Sequence, residues 1–202
     1  MESHPKYIAI GSIARVGKDT LAGGIETVLN SLGYSSVRMS LATPLKKECD
    51  EFLLSKFGIS AFTSEDKDKK FIRDFLVTVG KMRRLQSEGT YFTDELYNNV
   101  LFLDKKPDFV IVPDLRYAHY PDDELSFFKS LNSFIINVDR VDQNGDMILP
   151  YNRDEEENSK KIKIHADCLV EWKTFNSTDS PDIRRISKNT TFQILKKFKM
   201  DY

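Results

Sequence analysis

The sequence predicts an α/β fold, a central parallel sheet of about five strands flanked by helices, and three observations predict it. Short apolar runs of strand character alternate with longer stretches of helical periodicity. The first such run, Tyr7-Ile8-Ala9-Ile10, leads straight into Gly11-Ser12-Ile13-Ala14-Arg15-Val16-Gly17-Lys18-Asp19-Thr20 and then into a helix-like stretch, residues 21–32. That is the strand, phosphate loop, helix order of a nucleotide-binding P-loop. The chain of 202 residues also suits one domain, 1–202, a size that buries roughly 70% of its unfolded surface.

Taken in order, the strands are expected at 7–10, 36–40, 109–113, 134–139 and 183–188. The helices are expected at 18–32, 44–57, 70–85, 91–103, 122–131 and 190–199. Pro44 suits a first helical turn, and Thr190 and Thr191 suit the cap of the last helix. Two regions interrupt this alternation. Residues 41–103 separate the second and third strands by far more chain than one crossover helix needs, which points to an acceptor-binding helical insertion. Residues 141–165 are polar, with Asn144-Gly145, Arg153, Asp154-Glu155-Glu156-Glu157 and Lys160-Lys161. They read as a lid or as a solvated loop, and charge content alone favours the loop.

Each residue type of the P-loop has a task. Gly17 lets the backbone approach phosphate, Lys18 brings a cation to the β- and γ-phosphates, and Thr20 offers a hydroxyl to Mg²⁺. Ser12, Ala14 and Asp19 complete the nucleotide contacts through a cradle of backbone N–H groups at a helix start, and Arg15 adds a second cation. The spacing departs from the usual pattern: five residues separate Gly11 from Gly17, so Ser12 holds the place of the first glycine. A chance Gly-Lys-x-Thr at a helix start is the alternative, and the strand before it and the helix after it argue against chance.

With 30 basic and 31 acidic side chains and a formal charge of −1, nothing global favours a nucleic-acid polymer as partner. Cys49 and Cys168 stand far apart without metal-site spacing, and neither a signal peptide nor a long apolar span is evident. A reducing cytoplasmic setting without membrane attachment is the default, and a homodimer stays open.

Three further constellations resemble the bacteriophage type of deoxynucleoside monophosphate kinase. Ser40-Leu41-Ala42-Thr43-Pro44-Leu45-Lys46 is similar to that family's Phe-Ala-x-Pro-Leu-Lys run. The stretch from Phe71 and Arg73 to Gly80, then Arg83-Arg84 and Tyr91-Phe92-Thr93-Asp94, resembles its arginine-bearing substrate helix and the aromatic-led helix that follows. Val112-Pro113-Asp114-Leu115-Arg116-Tyr117 resembles its Asp-x-Arg-Phe/Tyr motif at a strand end. The resemblance covers most of residues 6–140 and, more loosely, 186–195. It implies a P-loop kinase fold that uses ATP and Mg²⁺ to phosphorylate a deoxynucleoside monophosphate. Two departures stand out: Ala118-His119-Tyr120 replaces the family's Pro-Asn-Glu, leaving Glu124 as a candidate for the missing acid, and a His-x-Ser-Glu pattern is reduced to His165-Ala166-Asp167. Animal phosphomevalonate kinases share a similar plan, which makes such a small-molecule kinase the alternative enzyme.

Phosphoryl transfer explains why these residues should converge. An NTP and a monophosphate are both polyanions, so cations must offset their repulsion and hold donor, γ-phosphorus and acceptor in line. Lys46, Arg73, Arg83, Arg84 and Arg116 are the expected acceptor-side cations, because guanidinium forks hold phosphate oxygens bidentately. Asp114, at a strand's carboxyl end, either organises the water shell of Mg²⁺ or, paired with Arg116, fixes a loop. Arg140, at another strand end, either neutralises the transferring group or is an ordinary surface cation. His119 and His165 read as isolated polar residues, Tyr91 and Phe92 as core or as stacking partners of a base, and Asp66 and Lys67 as a solvated helix entrance. Asp142-Gln143-Asn144-Gly145 gives the Asp-x-x-Gly of a guanine-nucleotide switch, yet no Asn-Lys-x-Asp follows. A non-catalytic nucleotide-dependent interaction module would need Lys18 and Thr20 without the acceptor cations.

Overall fold

The computed structural model describes residues 4–173 and 180–201. In chain order its elements are β1 (Lys6–Gly11), α1 (Lys18–Ser31), β2 (Ser36–Arg38), α2 (Ala42–Phe57), α3 (Asp66–Gln86), α4 (Tyr91–Leu101), β3 (Phe109–Leu115), α5 (Glu124–Ser130), β4 (Phe134–Val141), α6 (Arg153–Ile164), β5 (Cys168–Lys173) and α7 (Pro181–Phe198). The strands form one parallel sheet in the order β2-β3-β1-β4-β5. Strand β1, which feeds the P-loop, therefore lies at its centre.

The period-2 geometry of a strand sends alternate side chains to opposite faces, and both faces of this sheet are covered. Ile8, Ile10, Phe109, Ile111, Phe134, Ile136 and Val138 pack on the face shared with Leu21, Ile25 and Leu29 of α1 and Ile194 and Leu195 of α7. Tyr7, Ala9, Val110, Val112 and Ile135 point the other way, onto Leu45 and Leu53 of α2, Leu96 and Val100 of α4, Phe128 of α5 and Ile162 of α6. Burial on both faces is why β1, β3 and β4 read as continuous apolar runs rather than as alternating ones. Each of Leu21, Ile25 and Leu29 is fully buried, worth about 1.5–3 kcal/mol apiece. Helices α1 and α7 approach closely at Gly24, where a Cβ would meet the Ser187 hydroxyl oxygen at 2.1 Å.

The C-terminal third departs from the expected pattern. Residues 183–188 lie inside α7, and the fifth strand is Cys168–Lys173. That strand sits at the sheet's edge with Cys168, Val170 and Trp172 inward and Leu169, Glu171 and Lys173 outward, so only half of its residues are buried. Ser180 caps α7 by accepting from the Asp182 amide, with Pro181 in the first turn. Thr190 and Thr191 are buried well inside the helix, and the Thr191 hydroxyl donates to the Ser187 carbonyl at 2.8 Å. Within 141–165, residues 153–164 are helix α6, capped by the Asn152 side chain. The solvated-loop reading fails there because one fully buried apolar residue, Ile162, and the buried Asn158 anchor an otherwise charged helix. Among the described residues no helix is long and apolar enough to cross a membrane.

Candidate active site

The P-loop joins β1 to α1 through three residues with positive φ: Ser12 (145°), Arg15 (66°) and Gly17 (90°). Glycine takes such angles without cost, whereas a side-chain-bearing residue held there stores about 1–3 kcal/mol and needs surrounding structure to keep it. The surroundings supply it. The Trp172 indole N–H donates to the Val16 carbonyl at 2.7 Å, and an Arg140 guanidinium nitrogen donates to the Arg15 carbonyl at 2.9 Å. A Cβ on Gly17 would meet the Trp172 ring at 2.7 Å, so the loop's glycine is required by both conformation and space.

Lys18 is 6% exposed, and its ammonium turns back to donate to the carbonyls of Ser12 (3.1 Å) and Ile13 (2.5 Å). Burial, reinforced by the nearby Arg116 charge, pushes its pKa down to about 7, against the opposing pull of Glu155, Asp114 and Asp19. One of these carboxylates touches the loop itself: the Ala14 amide donates to Glu155 Oε1 at 2.7 Å. Asp19 and Thr20 lie in the first turn of α1.

Asp114 closes the carboxyl end of β3 and anchors the start of α2. Its Oδ2 accepts from the Ser40 hydroxyl (2.5 Å) and the Ala42 amide (3.0 Å), and its Oδ1 accepts from the Leu41 amide (2.9 Å). The loop it fixes is thus 40–42, by direct hydrogen bonds, and not through a pair with Arg116.

Beside it opens a cavity of about 330 Å³ between α2, α3 and the end of β3. Lys46, Arg73, Arg84, Asp114 and Arg116 line it, against an apolar wall that includes Leu45, Ile72 and Phe92. Arg84 forms the floor. Its guanidinium lies 4.1 Å from the Phe92 ring centroid and 3.5 Å from that of Tyr117, and Nη2 donates to Glu124 Oε1 at 2.5 Å. The other Glu124 oxygen accepts the amides of Arg116 (2.8 Å) and Tyr117 (3.1 Å). Burial raises the Glu124 pKa, with Arg84 pulling the other way. Glu124 therefore works as an internal brace that positions Arg84 and the backbone of Arg116.

The remaining expected residues divide. Lys46 and Arg73 reach the cavity, Lys46 with its ammonium 5.7 Å from the Phe62 ring and Arg73 4.4 Å from that of Tyr151. Arg83 does not line it: Nε donates to both Glu48 oxygens at 3.1 Å, the Tyr91 hydroxyl donates to Glu48 as well, and the group faces outward between α2 and α3. One helical position separates Arg83 from Arg84, and about 100° of rotation sends the two to different sides of α3. Phe92 is buried wall and Tyr91 belongs to the Glu48 network. His119 donates its amide to Asp123, His165 is exposed, and no cluster of three or more metal-binding side chains exists among the described residues. Sequence reasoning missed Trp172, whose signal was the inward phase of an alternating edge strand. Glu155 had no local signal, being one acid in a run of four.

No family model matches the chain, and no curated protein matches it. Among solved structures it is similar to a shikimate kinase from Aquifex aeolicus, at 16% identity and TM-score 0.43 over 96% of this chain and 98% of that one. A shikimate kinase from Acinetobacter baumannii, in complex with shikimate, gives 11% and 0.44 over 99% and 97%. A gluconokinase from Sinorhizobium meliloti gives 10% and 0.36 over 98% of each chain.

Proposed function

We propose that this protein transfers the γ-phosphoryl group of ATP to a deoxynucleoside monophosphate. One observation carries the reading: Gly11, where β1 enters the P-loop, pairs with Leu115 of β3, so the loop opens beside Asp114 and Arg116, two side chains that line the cation-rich cavity. In this reading the donor loop adjoins the acceptor pocket, as an in-line transfer requires. The cavity's volume of about 330 Å³ falls in the range of small-molecule pockets, roughly 300–1,000 Å³.

In this mechanism the P-loop amides and Lys18 hold the β- and γ-phosphates, and Arg15 and Arg140 approach the transferring group from the loop's outer side. Lys46, Arg73 and Arg116 receive the acceptor phosphate, while Arg84 and Glu124 set the floor against which the nucleoside rests. The acceptor phosphate is already ionised near neutrality, its second pKa being roughly 6, so it attacks without a dedicated base. Oxygen donors suit a hard cation that keeps most of its water: the Thr20 hydroxyl would hold Mg²⁺, with Asp114 reaching it through water. When bound, the ion offsets charge on the donor phosphates.

ADP release measured with ATP and Mg²⁺ across the common NMPs, dNMPs and phosphomevalonate tests the reading. Turnover that depends on a deoxynucleoside monophosphate is expected. Turnover with phosphomevalonate alone would transfer the assignment to that class, and ATP binding without acceptor-dependent turnover would favour an interaction module.

A further inference from the structure

The start of α6 grips both halves of the site. Within the P-loop, the Ala14 N–H is one of the backbone donors that an anion would use, and it donates to Glu155 Oε1. The carboxylate is held in that pose by two neighbours. Its second oxygen accepts the Tyr151 amide at 2.7 Å, and its own amide donates to the capping oxygen of Asn152 at 2.9 Å. The adjoining residues reach the acceptor side. Tyr151 lies against the guanidinium of Arg73, a cavity-lining cation, and Asp154 pairs with Lys81 at 3.3 Å. Segment 151–155 therefore ties the phosphate loop to helix α3.

We propose that this segment is a carboxylate latch: Glu155 competes with a nucleotide phosphate oxygen for the Ala14 N–H, so that ATP binding displaces it and releases Arg73 for the acceptor. A carboxylate and a phosphate are alike in charge and in hydrogen-bonding character, so one donor cannot serve both. The latch is built to yield. The Asp154 and Lys81 side chains are 68% and 57% exposed, and exposed pairs contribute little. Coupling is reciprocal by linkage: an acceptor that draws Arg73 away from Tyr151 loosens Glu155 and tightens ATP binding. The inference rests on Gly11 to Thr20 being a phosphate site and is independent of which acceptor is used.

Calorimetric titration of ATP with Mg²⁺, without acceptor, tests it on the wild-type protein, Glu155→Gln and Asp154→Asn. Glutamine removes the charge and keeps a single acceptor oxygen, enough for only one of the Ala14 and Tyr151 amides, so the latch weakens and ATP should bind about five- to tenfold more tightly, within the span of ordinary coupling energies. Asp154→Asn breaks the Lys81 pair without touching the P-loop, and should tighten ATP binding about twofold. This second variant decides the matter should Glu155→Gln fail to fold. Unchanged or weaker ATP binding in the folded variants would overturn the latch, as would an absence of ATP binding in all three proteins. Acceptor-dependent ADP release is read separately, so the latch and the proposed reaction fail on different measurements.

Discussion

The Trp172 indole N–H, on the last strand of the sheet, donates to the carbonyl of Val16 in the P-loop. The loop's shape is thus held by a residue more than 150 positions away, and the ring also fills the space that any side chain at position 17 would need. Replacing Trp172 with Phe keeps much of the buried surface and leaves the Val16 carbonyl without this donor, at a cost of about 1–3 kcal/mol. A lowered melting temperature with ATP affinity reduced severalfold is the expected pair of results. Unaltered ATP affinity would mean that the loop keeps its form without the indole.

Lys18→Met should leave the fold intact and lower kcat by about a hundredfold or more, as when a group stabilising transition-state charge is removed. The same variant reads out the buried charge. The folded-state pKa of Lys18 is about 7 against an ordinary 10.5, so between these values the unfolded chain binds more protons than the native one. The cost of burying this charge is therefore full below pH 7 and lifts as pH rises toward 10.5. Chemical denaturation at pH 6.5 and pH 9 should show wild-type stability gaining on that of Lys18→Met. A difference independent of pH would place the ammonium in a more solvated setting.

Asp114→Asn separates tethering from metal chemistry. The amide can accept at only one of its two ends, so the Ser40–Ala42 turn loses at least one hydrogen bond to a buried partner, about 1–3 kcal/mol of stability. If Asp114 also serves Mg²⁺ through water, the variant's Mg²⁺ requirement for turnover rises as well. A melting-temperature loss with an unchanged metal titration assigns the residue to the α2 anchor alone.

Arg73 and Arg83 form a matched pair for acceptor recognition. Arg73→Lys keeps the charge and loses the planar fork, so it should raise the acceptor KM and lower kcat/KM with little change in the KM for ATP. Arg83→Lys, bonded to Glu48 outside the cavity, should leave acceptor kinetics within about twofold. Steady-state titration of each substrate checks both, and the reverse ranking would relocate the acceptor phosphate.

Much of the fold was legible because β1, β3 and β4 are buried on both faces and their runs are almost wholly apolar, the buried Asn137 of β4 being the exception. The P-loop was legible because its residues are contiguous. Strand β5 was not, since an edge strand shows one apolar face, and Leu169 breaks even that alternation by facing outward. Ile183 and Ile186, which suggested a strand, are spaced for one face of α7 instead. In the candidate site, the cations of α2 and α3 could be named from the sequence but not sorted: whether Arg83 or Arg84 faces the cavity depends on the rotation of α3 against Glu48 and Glu124. Glu155 reaches Ala14 across 141 positions, a contact that no local pattern encodes.

The cavity's cationic lining is divided between α2 and α3 on one side and the end of β3 on the other, and this division shapes what can vary. Helices α2 to α4 come from one contiguous stretch of the chain, whereas the P-loop, Trp172 and Arg140 come from the sheet-forming remainder. Under the proposed reaction, substitutions confined to that stretch would alter the acceptor while sparing the loop assigned to ATP. The Asp114 tether to residues 40–42 marks the seam where a replaced cassette would have to rejoin.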